Sequence, residues 1–304
     1  LASRLAGFDL VHLHSVFLWP TAAAARAARR AGVPYLLAPR GMLVPDLLRR
    51  RGRWRKTLWI QLVERRTLAG AAGLHATSDL EGEEASRLGL PLPPIHVLPN
   101  GVDDEPFDEA ALLAPPVREL LAGPPFLLFL GRLSWKKGLD RLIPALAYAP
   151  GARLALAGPD DEGIRPALER LAREHGVAVT FLGEVGGNDR AALLHRTAAL
   201  VLPSYSENFG NVVLEAMAAG RPVVVTPEVG LSPLVASAGA GLVVDGDPPR
   251  LGAALLSLLA DPARRAAMGR RGAEEVHRRF GWDAIARDME EVYQGALEGR
   301  ERGT

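Results

Sequence analysis

At 304 residues the chain is long for one domain and comfortable for two. Hydrophobic residues make up 48% and charged residues 23%, a globular balance, and no apolar run reaches bilayer-spanning length. Cysteine is absent, which excludes a disulfide framework and thiolate metal sites.

The net charge of +1 hides an asymmetry, because residues 1–80 carry thirteen Lys and Arg against four Asp and Glu. In chain order, this first part predicts a strand over residues 9–15, an alanine- and arginine-rich helix over 21–31 and a second strand over 33–38. Basic helical material follows as far as residue 69, then a strand over 73–77, a helix over 79–88 and a strand over 95–98. The first strand ends in His12-Leu13-His14, and period-2 alternation puts both rings on one face. Such a pair suits packing, a weak metal site or contact with a ligand at the strand end. Pro39-Arg40-Gly41-Met42 and Pro99-Asn100-Gly101-Val102-Asp103 also follow strands, reading as tight turns first and contact segments second. Arg49, Arg50, Arg51, Arg53, Arg55, Lys56, Arg65 and Arg66 surround Trp54 and Leu58-Trp59-Ile60. That stretch suits an anionic membrane surface, or a solvated helix over a core stripe of Leu58, Leu62 and Leu68. No nucleic-acid module signature accompanies it, so a nucleic-acid partner is not expected.

Residues 103–125, rich in Pro, Asp and Ala without a period, read as a linker, and a fresh alternation then begins. Strands are predicted over 126–130, 153–157, 179–182, 199–202 and 222–226, with helices over 139–149, 163–175, 188–195 and 211–219. The strands are near-continuous apolar runs, the pattern of parallel strands covered on both faces. After the first of them comes Gly131-Arg132-Leu133-Ser134-Trp135-Lys136-Lys137-Gly138, which sets Arg132 and Lys137 at the carboxyl edge of the sheet, where two cations could grip a diphosphate. The segment is neither a Walker motif nor a G-x-G-x-x-G dinucleotide fingerprint.

The most informative segment is Ser206-Glu207-Asn208-Phe209-Gly210-Asn211-Val212-Val213-Leu214-Glu215-Ala216. A strand, a glycine turn and a helix start together present backbone N–H groups and a positive dipole end to an anion. The two carboxylates bracketing that turn can accept hydrogen bonds from hydroxyls, so an anionic, hydroxyl-rich ligand such as a nucleotide sugar fits. Asp160-Asp161 and Asp103-Asp104 lie in loops and form no Asp-x-Asp motif, so neither a metal nor any other cofactor is expected. The last predicted helix, residues 282–297, carries Ile285, Met289, Val292 and Tyr293 at helical spacing as a packing stripe.

The repetition argues an α/β fold of two Rossmann-like, doubly wound domains facing a cleft. Residues 1–115 form the first domain, 116–281 the second, and 282–304 a closing helix. Gly131-Arg132…Lys137-Gly138, Pro203-Ser204-Tyr205-Ser206-Glu207-Asn208-Phe209-Gly210…Glu215-Ala216 and Pro99-Asn100-Gly101-Val102-Asp103 closely resemble a bacterial glycosyltransferase of family 4. The resemblance covers nearly the whole chain, including Phe280-Gly281-Trp282…Tyr293, and its Glu-x7-Glu element in a Phe-Gly context is specific.

The resemblance implies the GT-B fold, retention of anomeric configuration, and a last helix that returns to the first domain. It implies that Glu215 binds the nucleotide ribose, that Glu207 contacts the donor sugar, and that amides of Asn208, Phe209 and Gly210 hold the phosphates. Arg132 and Lys137 would neutralise the leaving diphosphate, Gly131 and Asn211 would complete the donor loops, and the backbone near Gly183 would read the base. His14 matches a histidine beside the reacting sugar, with Arg40 and Asn100 on the acceptor side. It further implies that the first domain is incomplete here, with about 60–80 residues expected upstream of Leu1.

The expected function is transfer of a sugar from a UDP- or GDP-sugar to a glycan or lipid-linked acceptor, in envelope or capsular polysaccharide biosynthesis. The expected place is the cytoplasm, peripheral to the inner face of the membrane through the basic stretch. The alternatives are a non-catalytic nucleotide-sugar-binding scaffold and a GT-B nucleotide-sugar epimerase.

Overall fold

The computed structural model describes residues 2–5, 7–45, 58–103 and 106–302. These divide into two compact units, Leu1–Gly101 with Trp282–Thr304, and Val102–Gly281. The boundary falls ahead of the expected break at 115/116, because the Val102 amide donates to Phe280 O and Val102 packs on the second core.

In the first unit, β1 (Val11–His14), β2 (Tyr35–Ala38), β3 (Gly73–Ala76) and β4 (Ile95–Val97) form a parallel sheet in sequence order. β2 and β3 are buried throughout, as central parallel strands should be, and Tyr35, Leu37, Leu68 and Leu74 anchor the core. The helix Trp19–Ala31 offers an alanine face to it and stops at Gly32, whose φ of 67° is the left-handed cap. The proposed core stripe of Leu58, Leu62 and Leu68 does not form: Leu68 is buried, but Leu58 is 52% and Leu62 60% exposed. A π-helical turn over Ile60–Glu64 changes the register and carries Glu64 inward instead. The Glu64 carboxylate accepts from the Phe17 amide at 2.6 Å and Trp59 Nε1 at 2.8 Å. Most of the basic stretch, Arg49 through Lys56, lies outside the described residues.

In the second unit, β5 (Leu127–Leu130), β6 (Arg153–Ala157), β7 (Ala178–Gly183), β8 (Ala199–Leu202), β9 (Val223–Val225) and β10 (Gly241–Val243) make a parallel sheet. Their order is β10-β9-β8-β5-β6-β7. The chain starts in the middle, winds outward through β6 and β7, and returns to β8 on the other side of β5. Strand order therefore reverses between β5 and β8, and ligands of open α/β sheets bind outside the carboxyl ends at such a reversal.

Residues 103–125 are not wholly irregular: Pro115–Ala122 is a helix, with Pro at its start and Val117 and Leu120 in the core. Its two apolar anchors were too few to show a period. The helix predicted over 139–149 is Leu139–Ala145 followed by a 3₁₀ turn, Leu146–Tyr148, the change coming just after Pro144. β10 and the helices Ser232–Ser237, Pro248–Ala260 and Pro262–Arg279 complete the unit beyond the predicted elements.

Candidate functional site

The two segments that sequence singles out leave the carboxyl ends of β5 and β8, on either side of the strand-order reversal. After β5 the chain makes a 3₁₀ turn over Trp135–Lys137 and enters the helix Leu139–Ala145 through Gly138. Gly138 has φ 66°, and a Cβ there would sit 2.0 Å from Pro203 O, so only glycine lets the two loops approach this closely. Arg141 fastens them, donating from Nε to Pro203 O at 2.8 Å and from Nη2 to Ser204 O at 2.6 Å. Tyr205 closes the seam, its amide donating to Lys136 O at 2.7 Å and its hydroxyl to Asp140 Oδ2 at 3.0 Å.

Across that seam Lys137 Nζ is hydrogen-bonded and ion-paired to Glu207 Oε2. Glu207 is itself held from behind: its amide donates to Glu228 O at 3.0 Å and its carbonyl accepts from the Gly230 amide at 2.9 Å. Gly210, at φ 93°, then turns the chain into the helix Asn211–Ala218, and its carbonyl accepts from the Val213 amide at 2.8 Å. Phe209 is buried in the core of the second unit. Glu215 lies one turn further on and accepts from Arg190 Nη2 at 2.5 Å. Arg132 is exposed, and Lys136 is held below the usual lysine range by burial, against the opposing pull of Glu207. Gly131 follows β5 directly, and Gly183 ends β7, where its carbonyl accepts from the Gly158 amide. Arg132, Lys137, Glu207, Asn208, Phe209, Gly210, Asn211 and Glu215 thus all lie on the loops and helix starts of one sheet edge.

Arg190, Arg141 and Lys136 were not singled out in the sequence. Lys136 sits inside the quoted motif. Arg190 stands beside Asn188 and Asp189 at the start of the helix Gly187–Arg196, a place that no spacing rule connects to Glu215. The Asp160 carboxylate accepts from the Ile164 and Arg165 amides at the start of the helix Arg165–His175. Among the described residues no group of three or more His, Cys, Asp or Glu could hold a metal ion.

The first unit gathers a different set at the carboxyl ends of its strands. Arg40 donates from Nη1 to Asn100 Oδ1 at 3.0 Å and from Nε to His14 Nδ1 at 3.3 Å, so His14, Arg40 and Asn100 meet. Arg40 has φ 55°, a strained value for a side-chain-bearing residue. The turn is held by Glu81, which is 2% exposed. Its carboxylate accepts from the Gly41 amide at 2.6 Å, the Thr77 amide at 2.7 Å and Thr77 Oγ1 at 2.9 Å. The signal for Glu81 was a capping box, Ser78-x-x-Glu81: Ser78 Oγ does accept from the Glu81 amide, while the Glu81 side chain turns to the Arg40 loop instead.

His12 and His14 stack with centroids 4.5 Å apart, on one face as alternation requires. The tautomers follow from the ends of the chain of contacts. Leu98 O can only accept, so His75 carries its proton on Nε2 and presents a bare Nδ1 to His12 Nε2–H. His12 Nδ1 then accepts from the Tyr293 hydroxyl at 2.9 Å, which ties the helix Trp282–Arg302 to β1. Because Arg40 donates to His14 Nδ1, His14 presents Nε2–H outward. Burial, reinforced by His14, His75 and Arg40, pushes the His12 pKa down to about 3. Burial is also the main cause of the lowered values of His14 and His75.

The family model described as glycosyl transferases group 1 matches residues 116–275, and that described as a glycosyl transferase 4-like domain matches residues 1–101. The chain is 38% identical over 255 residues to a D-inositol 3-phosphate glycosyltransferase of Xylanimonas cellulosilytica, covering 78% of this chain and 60% of that relative. It is 34% identical over 230 residues to a glycogen synthase of Mycobacterium tuberculosis, covering 73% and 54%. The chain thus spans little more than half the length of these relatives.

Among solved structures, a sucrose-phosphate synthase from Thermosynechococcus elongatus superposes with a TM-score of 0.79 at 27% identity, covering 98% of this chain and 76% of that one. The fold is shared with Anabaena Alr3699/HepE in complex with UDP and glucose, at a TM-score of 0.80, 21% identity and coverages of 96% and 80%. With both of its sheets built and lined in this way, and with one family model covering more than half of it, the chain belongs to the glycosyl transferases group 1 family, of GT-B fold.

Proposed function

We propose that this chain carries the donor site of a retaining glycosyltransferase that moves a sugar from a UDP- or GDP-sugar to a glycan or lipid-linked acceptor. The observation that carries the reading is the pairing of Lys137 with Glu207 across the β5–β8 seam, followed by the Arg190–Glu215 pair on the next helix. A carboxylate for the sugar, a cation for the diphosphate and a second carboxylate for the ribose match the three parts of a nucleotide sugar. UDP occupies the related fold of HepE, which supports the same ligand class here.

In this reading Glu215, oriented by Arg190, accepts from the ribose hydroxyls, and Glu207 accepts from hydroxyls of the transferred sugar. The amides of Asn208, Phe209 and Gly210, with Asn211 at the helix start, hold the diphosphate, while Gly131 leaves room for it beside β5. Arg132 and Lys137 neutralise the charge that grows on the departing phosphate. The backbone at Gly183 meets the base. In the first unit His14, fixed by Arg40 as an Nε2–H donor, serves the acceptor side with Arg40 and Asn100.

The bond from the anomeric carbon to the β-phosphate oxygen breaks as the acceptor oxygen bonds the same face of that carbon. The acceptor's proton passes to the leaving phosphate, releasing the nucleoside diphosphate. No protein nucleophile is needed, so positioning and charge stabilisation are the main catalytic terms. The arginine and lysine supply the positive charge, so the reading calls for no metal or cofactor.

The wider setting we propose is envelope or capsular polysaccharide assembly at the cytoplasmic face of an anionic membrane. It rests on the basic residues 49–66 and on the exposed Trp19, Leu58 and Leu62. Among the described residues no helix is long and apolar enough to cross a membrane.

Calorimetric titration with a nucleotide sugar and with its nucleoside diphosphate tests the assignment. Glu207→Ala should weaken the nucleotide sugar more than the diphosphate, because Glu207 is assigned to the sugar. Equal losses for both ligands would contradict that role.

A further inference from the structure

The end of the second sheet opposite the donor loops also carries a pocket. It opens at the amino ends of three adjacent strands, where Phe126 precedes β5, Ala198 precedes β8 and Pro222 precedes β9. Its volume is about 380 Å³, several times that of a water molecule. Three arginines, Arg196, Arg221 and Arg265, line it, and no carboxylate does.

The arginines are not equivalent. Arg196 reaches out from Nη2 to the exposed Glu109, and Arg265 gives Nη1 to Leu258 O and Leu259 O. Each keeps further N–H donors, since a guanidinium has five. Arg221 is half-buried, and its Nε is buried without a hydrogen-bond partner. Burial, and then the like charge of Arg196, both lower its pKa. A desolvated cation facing a second cation is an unfavourable arrangement that folding does not require. An anion seated among the three would add an attraction that opposes both of these terms.

The geometry points to a second, anion-binding site of this protein, between Arg196, Arg221 and Arg265, that takes phosphate or a small phosphate monoester. Phosphate suits it better than a lone carboxylate, because a tetrahedral dianion offers oxygens to three guanidinium groups at once. The remaining wall is made of prolines, small residues, Leu121, Phe126 and Thr197, which leaves room for a short carbon skeleton but supplies few further polar side chains. The site lies at the opposite ends of β5 and β8 from Lys137 and Glu207, so it does not overlap the proposed donor site.

Calorimetry of the whole chain with inorganic phosphate and with glycerol 3-phosphate, using glycerol as the neutral control, tests this. The wild-type protein should bind both anions and not glycerol, with or without saturating UDP. Arg221→Gln should weaken both anions at least tenfold while leaving UDP affinity unchanged. Arg196→Gln, altering a side chain that is about half exposed, paired with exposed Glu109 and laid over the Phe107 ring, should weaken them severalfold and supplies the answer if the Arg221 variant does not fold. Unchanged anion affinity in both variants, or displacement of phosphate by UDP, would overturn the proposal.

Discussion

The carboxyl edges of the two sheets solve the same placement problem with opposite electrostatics. In the second unit, charges stand in opposed pairs, Lys137 with Glu207 and Arg190 with Glu215, each part-exposed at a loop or helix start. In the first unit, His12 stacks on His14 and is hydrogen-bonded to His75, all three as neutral rings beside one arginine, and the balancing carboxylate, Glu81, is buried behind the loop. Paired ions can exchange partners when a charged ligand arrives. A neutral relay whose tautomers are fixed offers directed hydrogen bonds and no net charge. The first arrangement suits an anionic donor, the second a neutral hydroxylated group.

The largest expected effect separates the two. Glu81→Ala orphans the Gly41 and Thr77 amides in a buried place and should cost about 3 kcal/mol of stability. Chemical denaturation would measure it, and nucleoside diphosphate binding by the folded fraction should be unaltered, because Glu81 serves only the first unit. Lys137→Ala comes next. It removes the cation at the phosphate position and leaves Glu207 facing the diphosphate, so affinity for the nucleoside diphosphate should fall roughly thirtyfold, about 2 kcal/mol. Calorimetry reads this directly, and stability should change little.

The smallest effect is in pH. His12 folds with its pKa lowered from 6.5 to about 3, so the unfolded chain binds more protons than the folded one below pH 6.5. Stability is therefore full above that value and is lost as pH falls through the window between the two. Allowing for solvent screening of a partly exposed ring, lowering the pH from about 7.5 to 5.5 should remove roughly 1 kcal/mol from the first unit. Tryptophan fluorescence melts across that range check it, and a melting point that rises on acidification would refute the neutral relay.

The same contrast explains what was legible in the sequence. Parallel strands buried on both faces are continuous apolar runs, so Leu127–Leu130 and Ala199–Leu202 announce themselves. Glu207, Gly210 and Glu215 were visible because strand, turn and helix impose a fixed spacing on them. The partners were not. Arg190 meets Glu215 from a separate helix, and His75 and Tyr293 reach His12 from 63 and 281 residues away. Nothing local marks such pairs. β10 escaped because Gly241-Leu242-Val243 is too short to show a period, and the inward turn of Glu64 because a π-helical turn breaks the period that predicts it.

The central claim is that Glu215, held by Arg190, reads the ribose of a nucleoside diphosphate beside the β5–β8 seam. Titrating the chain with UDP, GDP and ADP, and repeating with Glu215→Ala, tests it most directly. The account predicts micromolar binding of one diphosphate, on the order of −8 kcal/mol, weakened at least tenfold in the variant. A folded chain that binds none of the three, or a variant that binds as tightly as the parent, would contradict it.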